Sequence, residues 1–270
     1  MRRDVDIVVI SDLHLGTYGC KAKELRQYLN SIEPKMLILN GDIIDIWSFK
    51  KRYFPEDHMH VVKQIIKWSA KIPVYYITGN HDEALRKYAE FNLGHLHLVN
   101  NLELEINGER YWFFHGDIFD ASMNYAKWLA KLGGAGYDLL IATNNLLNWV
   151  LQKMGRNRMS FSKRIKNSVK KAVKYISDFE ATAASIAIEK KFDYVVCGHI
   201  HQAQLREIKQ DHGSVTYMNS GDWVENLSAL EFHRETWQLY RYEQASFEEK
   251  ELIDRWKKSS SPQFVAQNAV

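Results

Sequence analysis

Apolar residues recur along this chain in two rhythms, one of short buried runs and one of helical spacing. Residues 5–10 (VDIVVI) form a run rich in β-branched side chains that ends at Ser11-Asp12, as a buried strand does when it delivers polar groups at its C-terminal end. The same form returns four times. Residues 35–39 lead into Asn40-Gly41-Asp42, 74–77 into Gly79-Asn80-His81, 111–114 into His115-Gly116-Asp117, and 194–197 into Gly198-His199. Between the early strands, 21–32 and 58–70 carry apolar residues at helical spacing (Leu25, Leu29, Ile32; Val61, Val62, Ile65, Ile66), which predicts β-α-β units. Asn107-Gly108, between 102–106 and 111–114, predicts a hairpin. Segments 203–209, 214–219, 227–233 and 236–242 predict further strands in a meander, with a turn at Asp211-His212-Gly213. Together these elements predict an α/β sandwich with mixed sheets.

Residues 120–190 break the pattern. Strand signals vanish and helical stretches are expected at about 121–132, 137–153 and 162–190. This predicts a helical cap inserted into a catalytic domain made of 1–119 and 191–245, with 246–270 as a frayed tail. The insertion is rich in large apolar residues, including Trp128, Leu132, Leu146, Leu147, Trp149, Val150 and Leu151. From Lys153 through Lys174 it holds nine basic residues and no acidic one. Apolar helical surface beside basic surface suits an amphiphilic anion; equally, the apolar residues could be the core of a small bundle and the basic ones a solvated face.

Length and charge set outer bounds. A chain of 270 residues that is 46% apolar can bury a substantial core, and a formal charge of +3 is too small to diagnose a polyanion binder. Cys20 and Cys197 lack metal-binding spacing and read as reduced thiols of a cytoplasmic protein. Asp4 and Asp6 interrupt the first apolar stretch, so no signal-peptide core is expected, and no run is long enough to span a bilayer. Any membrane contact would then be peripheral.

The polar residues at the five strand ends are carboxylates, an amide and imidazoles, the ligand types of hard and borderline divalent cations. Taken in order, Asp12-x-His14, Gly41-Asp42-x-x-Asp45, Gly79-Asn80-His81-Asp82, His115 and Gly198-His199-x-His201 resemble the blocks of the calcineurin-like metallophosphoesterases over roughly residues 5–240, apart from the insertion. That resemblance implies a four-layer αββα sandwich and two divalent ions roughly 3.5–4 Å apart that orient a hydroxide for in-line attack on phosphorus. It implies that Asp12, His14 and His201 hold one ion, that Asn80, His115 and His199 hold the other, and that Asp42 bridges them. By the same resemblance His81 acts catalytically beside Asp42 and Asn80, stabilising the transition state or protonating the leaving group. Asp45 or Asp82 would orient a histidine, unless these and Asp117 merely cap turns. Gly41, Gly79, Gly116 and Gly198 are expected to let the backbone turn sharply and phosphate oxygens come close.

Within the superfamily, Ile46 and Asp82 stand where phosphoprotein phosphatases carry Arg and Glu. The GNHD and GHIH blocks, the segment Asn219-Ser220-Gly221-Asp222-Trp223 and the position of the insertion instead resemble the UDP-2,3-diacylglucosamine pyrophosphohydrolases. That resemblance implies a lipid-linked nucleotide sugar as substrate, UMP and a lipid phosphate as products, manganese before iron or zinc, and peripheral contact with an anionic membrane. Asp120, Arg158, Lys163, Arg164 and Lys171 are the expected substrate contacts. His81 departs from the Arg of the best-known members, which leaves another lipid-linked or nucleotide-linked diphosphate open. Two alternatives remain beside this one: a soluble nucleotide phosphodiesterase or nuclease whose basic cap binds nucleic acid, and an inactive scaffold that binds a partner. Oligomeric state is open.

Overall fold

The computed structural model describes residues 2–46, 53–119 and 161–243. The strands among them are β1 (Arg3–Ile10), β2 (Ile32–Asn40), β3 (Val74–Ile77), β4 (Asn92–Leu93), β5 (Leu96–Val99), β6 (Leu102–Ile106), β7 (Glu109–Phe113), β8 (Tyr194–Cys197), β9 (Gln204–Gln210), β10 (Gly213–Asn219), β11 (Ser228–His233) and β12 (Thr236–Arg241). The helices are α1 (Ala22–Ser31), α2 (Glu56–Ser69) and α3 (Phe161–Glu189). One sheet has the order β12-β11-β1-β2-β3-β5-β4 and the other β6-β7-β8-β10-β9.

The pleat sorts alternate residues into the interfaces of a four-layer sandwich. Val8, Ile10, Leu37 and Leu39 face α1 and α2, and pack with Leu25, Tyr28, Val61 and Trp68. Their neighbours Ile7, Val9 and Ile38 turn the other way and meet Tyr111, Phe113 and Val196 of the second sheet. On the far side of that sheet, Trp112, Val195 and Cys197 pack against Phe179, Ala183, Ala184 and Ala187 of α3. The alanines leave room for the helix to lie close on the strands. Both sheets are mixed, as expected, and the predicted sandwich is the observed one.

Strand registers then determine where the polar ends go. β1, β2 and β3 are parallel, with Ile10 beside Leu39 and Asn40 beside Ile77. In the second sheet Phe113 pairs with Val196, and Cys197 with Asn219, again in parallel. Each sheet thus releases its chain ends at one edge, and Asp12, Asp42, Asn80, His115, His199 and His201 emerge there together.

Several expectations change. The meander splits, because β9 and β10 pair in the second sheet while β11 and β12 pair in the first; Asp222 and Trp223 occupy the crossing between them. Ile32 begins β2 and does not end α1. Ile66, placed by periodicity on the apolar face of α2, is 59% exposed. The short strands β4 and β5 carry no strong alternation and were not expected. The final predicted helix of the insertion exists, but its second half forms the outer layer of the sandwich and does not stand apart as a cap. Residues 121–132 and 137–153, with Trp128, Leu132, Leu146, Leu147, Trp149, Val150 and Leu151, lie outside the described residues, as does the tail 246–270.

Candidate metal centre

Eight residues that follow the strand ends converge in three groups, and within each group the ligand atoms lie within 4.8 Å of one another: Asp12, His14 and His201; His14, Asp45 and His81; and Asp42, His115 and His199. Asp42 joins the groups. Its Oδ2 is 3.4 Å from His115 Nε2 and 4.0 Å from both His14 Nε2 and His81 Nε2, and its Oδ1 accepts the His81 backbone N–H at 2.8 Å. His201 Nε2 lies 3.2 Å from Asp12 Oδ1, and the His199 backbone N–H donates to Asp12 Oδ2 at 3.1 Å.

The backbone is strained to achieve this. Asp12, His14, Asp42, His199 and His201 all adopt positive φ, between 50° and 68°. Non-glycine residues enter this region at a cost of order 1–3 kcal/mol each, and such strain gathers at functional sites. Gly41 turns the chain at φ 84°, as expected, but what comes close to Gly41 and Gly79 differs from the expected phosphate oxygens. A Cβ at Gly41 would come within 2.3 Å of His115 Nδ1, and one at Gly79 within 2.2 Å of Asp42 Oδ1 and 2.6 Å of the Asp42 backbone nitrogen. Their missing side chains admit the protein's own polar groups to the centre.

Charge is concentrated and mutual. Burial disfavours ionised Asp12, but His201 and His115 more than compensate and bring its pKa down to about 2. Burial likewise opposes charge on Asp42, and His115, His14 and His81 hold its carboxyl far below the usual range. On the imidazole side, burial favours neutral His201, yet Asp12, Asp222 and Asp42 raise its pKa to about 9. Burial also disfavours charge on His115, and Asp42 and Asp12 raise its pKa well above the ordinary value despite that. An arrangement that draws protons so strongly draws divalent cations for the same reason.

The residues present pass a sharper test of fit. Asp12 Oδ1, Asn80 Oδ1 and His115 Nε2 are buried and make no hydrogen bond of ordinary geometry; beside the first and the last stand other candidate ligand atoms, His201 Nε2 at 3.2 Å and Asp42 Oδ2 at 3.4 Å. An unsatisfied buried polar atom costs about 1–3 kcal/mol, so three such atoms at the ends of three different strands call for a common partner. His115 Nδ1 donates to the Asn40 carbonyl at 2.9 Å, which turns Nε2 toward the centre as a ligand nitrogen.

The supporting carboxylates now separate. Asp45 orients a histidine, with Oδ2 3.0 Å from His81 Nδ1. Asp82 does not; it accepts the Gly79 N–H at 2.6 Å, the Ile43 N–H at 2.9 Å and the Tyr76 hydroxyl at 2.7 Å, tying the loops after β2 and β3 together. Asp117 pairs with Arg86. For His81, burial favours the neutral ring, but the hydrogen bond that Asp45 accepts from it and the charges of Asp42 and Asp45 leave its pKa raised.

Two contributors escaped the sequence reading. Asn40 fixes His115 through its backbone carbonyl. Asp222 lies 3.6 Å from His201 Nδ1 and accepts the Val224 and Asn226 backbone N–H groups, while Asn226 Nδ2 donates to the His201 carbonyl at 2.8 Å. The neighbouring Asn219 donates to the Gly198 carbonyl at 2.8 Å. In the sequence, the Asn219–Trp223 segment carries no signal beyond its resemblance. Of the expected substrate contacts, Asp120 and Arg158 lie outside the described residues, and Lys163, Arg164 and Lys171 fall in α3.

A calcineurin-like phosphoesterase family model matches residues 5–203, and the chain belongs to that family. It is a metal-dependent phosphoesterase. Curated relatives share a name. The chain is 23% identical over 251 residues to the UDP-2,3-diacylglucosamine hydrolase of Aliivibrio fischeri, covering 88% of this chain and 98% of the relative. It is 25% identical over 205 residues to that of Psychromonas ingrahamii, covering 74% of this chain and 80% of the relative. For the hydrolase of Stenotrophomonas maltophilia the identity is 21% over 237 residues, covering 85% and 96%.

Proposed function

We propose that this chain hydrolyses the phosphoanhydride of a lipid-linked nucleotide sugar, UDP-2,3-diacylglucosamine or a close relation, to UMP and a lipid phosphate. The supporting site would hold two divalent cations: Asp12, His14 and His201 around one, Asn80, His115 and His199 around the other, and Asp42 shared. The observation that carries this is the set of buried ligand atoms on Asp12, Asn80 and His115 that make no hydrogen bond of ordinary geometry. Bound there, divalent cations would lower the pKa of a coordinated water toward 7 and neutralise charge on phosphoryl oxygens. Manganese is favoured by resemblance, and iron or zinc would suit the same nitrogen and oxygen donors.

The protein's own groups supply orientation and a proton. Asp45 holds His81 by Nδ1, leaving Nε2 on the side of Asp42. His81 is therefore placed to protonate or stabilise the departing oxygen. Asn80 and Asp42 complete the constellation expected to act on phosphorus. We expect His81→Ala to lower turnover by about 10²–10⁴-fold while metal content, measured by mass spectrometry of the purified protein, stays at the wild-type level. Loss of a metal equivalent would reassign the residue to coordination.

The substrate reading rests on the relatives' shared name and on the composition of residues 120–190, where Asp120, Arg158, Lys163, Arg164 and Lys171 would meet the polar and anionic groups and the large apolar residues the acyl chains. It implies work at the cytoplasmic face of the inner membrane; among the described residues, no helix is long and apolar enough to cross one. Hydrolysis of UDP-2,3-diacylglucosamine should be compared with bis-p-nitrophenyl phosphate and a short oligonucleotide, each with manganese and with a chelator. Chelator-sensitive preference for the acylated sugar nucleotide is the expected result. Turnover of the oligonucleotide alone would transfer the basic segment to nucleic acid and overturn the lipid substrate.

A further inference from the structure

Nine large hydrophobic residues are exposed among those described, and five of them belong to α2 (Met59, Ile66) or to the chain between β3 and β5 (Tyr88, Phe91, Leu93). Their coincidence follows from local geometry. α2 buries His58, Val61, Ile65 and Trp68, while His60 and Gln64 line a groove against α1. At about 100° per residue, Met59 and Ile66 therefore point away from α1, toward the open edge of the seven-stranded sheet. There the His95 N–H donates to the Ser69 carbonyl at 3.3 Å and places the β4–β5 turn against the end of α2. Leu93 stands opposite Leu96 in the ladder, and cross-strand partners share a face. Leu96 packs beneath the helices, so Leu93 lies on the α2 side of the sheet, and Phe91, two residues away, lies on the same side.

The border of this strip is basic. Lys63 and Lys67 lie on α2 between Ile66 and the groove against α1, which they also line, and Lys71 follows the helix; all are exposed. Lys87 is exposed too, with Nζ 4.9 Å from the centre of the Tyr88 ring. The acids of α2 are engaged elsewhere, Asp57 with Arg26 at 2.9 Å and Glu56 with His60 at 3.8 Å. Glu83 and Glu90 are the exposed acids beyond the helix. Apolar side chains on an open edge invite a partner, and those bordered by lysines without carboxylate partners match the interface of an anionic bilayer, where rings and aliphatic chains enter between headgroups and ammonium groups meet phosphates.

We propose that the flank formed by α2 and β4–β5 docks the protein on an anionic membrane surface. This rests on the reading of a lipid-linked substrate, and it extends that reading to the described body of the enzyme, outside residues 120–160. Tyr88 closes the short 3₁₀ turn Glu83–Tyr88 that follows His81, so the docking flank reaches the rim of the metal centre. A substrate held in the membrane would then lie beside the site.

Sedimentation with vesicles of mixed phosphatidylglycerol and phosphatidylcholine, against phosphatidylcholine alone, tests the surface with the full chain. Wild type should sediment with the anionic vesicles, and less at high salt. Phe91→Ser/Leu93→Ser, and separately Lys63→Gln/Lys67→Gln/Lys71→Gln, should each weaken binding by about tenfold or more while hydrolysis of bis-p-nitrophenyl phosphate is unchanged. Ile66→Ser provides a third variant if the double apolar change folds poorly. Wild-type binding by all variants, no vesicle binding at all, or a lipid-free dimer that the apolar variant dissociates would each overturn the proposal; the last would make a second copy the occupant. Detergent-dispersed UDP-2,3-diacylglucosamine, assayed separately, distinguishes the two readings. If it is not hydrolysed while vesicle binding behaves as described, the substrate assignment fails and the docking surface stands.

Discussion

Asp42→Ala is expected to lower kcat/KM by at least roughly 10³-fold, about 4 kcal/mol of transition-state stabilisation, because the several kcal/mol that the proposed cation pair would supply would depend on the carboxylate proposed to be shared by both ions. No other side chain is as central: Asp42 Oδ2 faces His115, His14 and His81, and Oδ1 holds the His81 backbone. Removing it leaves these imidazoles without the carboxylate that holds them around a common point. Asp42→Asn is the companion, since its amide oxygen can still accept the His81 N–H while the charge is gone. Both variants should retain wild-type circular dichroism and bind less metal. Near-normal turnover in a folded, metal-loaded Asp42→Ala protein would remove this residue from the centre of the account.

Gly79→Ala is expected to cost roughly 10²-fold in turnover, the scale that follows when reacting groups are misplaced by about 1 Å. The added methyl would meet Asp42 Oδ1 at 2.2 Å and the Asp42 backbone nitrogen at 2.6 Å. A side chain can rotate away, but a backbone nitrogen in a loop tied to Asp82 through Ile43 cannot. The displaced carboxylate should weaken metal binding, and overpacking should lower stability by about 1–3 kcal/mol in denaturant titration. Wild-type activity and stability together would show that the loops after β2 and β3 have slack that the close approach denies.

The strand ends were legible because each is a local event: an apolar run stops and a glycine, carboxylate, amide or histidine follows at once. Asp12, Asp42, Asn80 and His115 could be found this way, and parallel register brings them together. The Asp45–His81 contact was half legible, since sequence offered Asp82 as an equal candidate and only the fold shows Asp82 engaged with Gly79, Ile43 and Tyr76. Asn40 and Asp222 were hidden for another reason. They act through a backbone carbonyl or a distant loop, and nothing in the spacing of residues reports such a contact. α3 exposes a limit of periodicity itself: an apolar helical stripe says that a face is buried, not whether it lies on a sheet or within a separate bundle. Ile66 shows the converse, since an apolar residue at helical spacing can remain outside.

The most direct measurement is the number of metal equivalents per chain, determined on the purified protein alongside turnover, before and after chelation and again after manganese is restored. About two equivalents, with turnover lost on chelation and recovered as the second equivalent returns, is the result predicted by a shared Asp42. Full turnover from protein stripped of metal, or full turnover with a single equivalent, would contradict it.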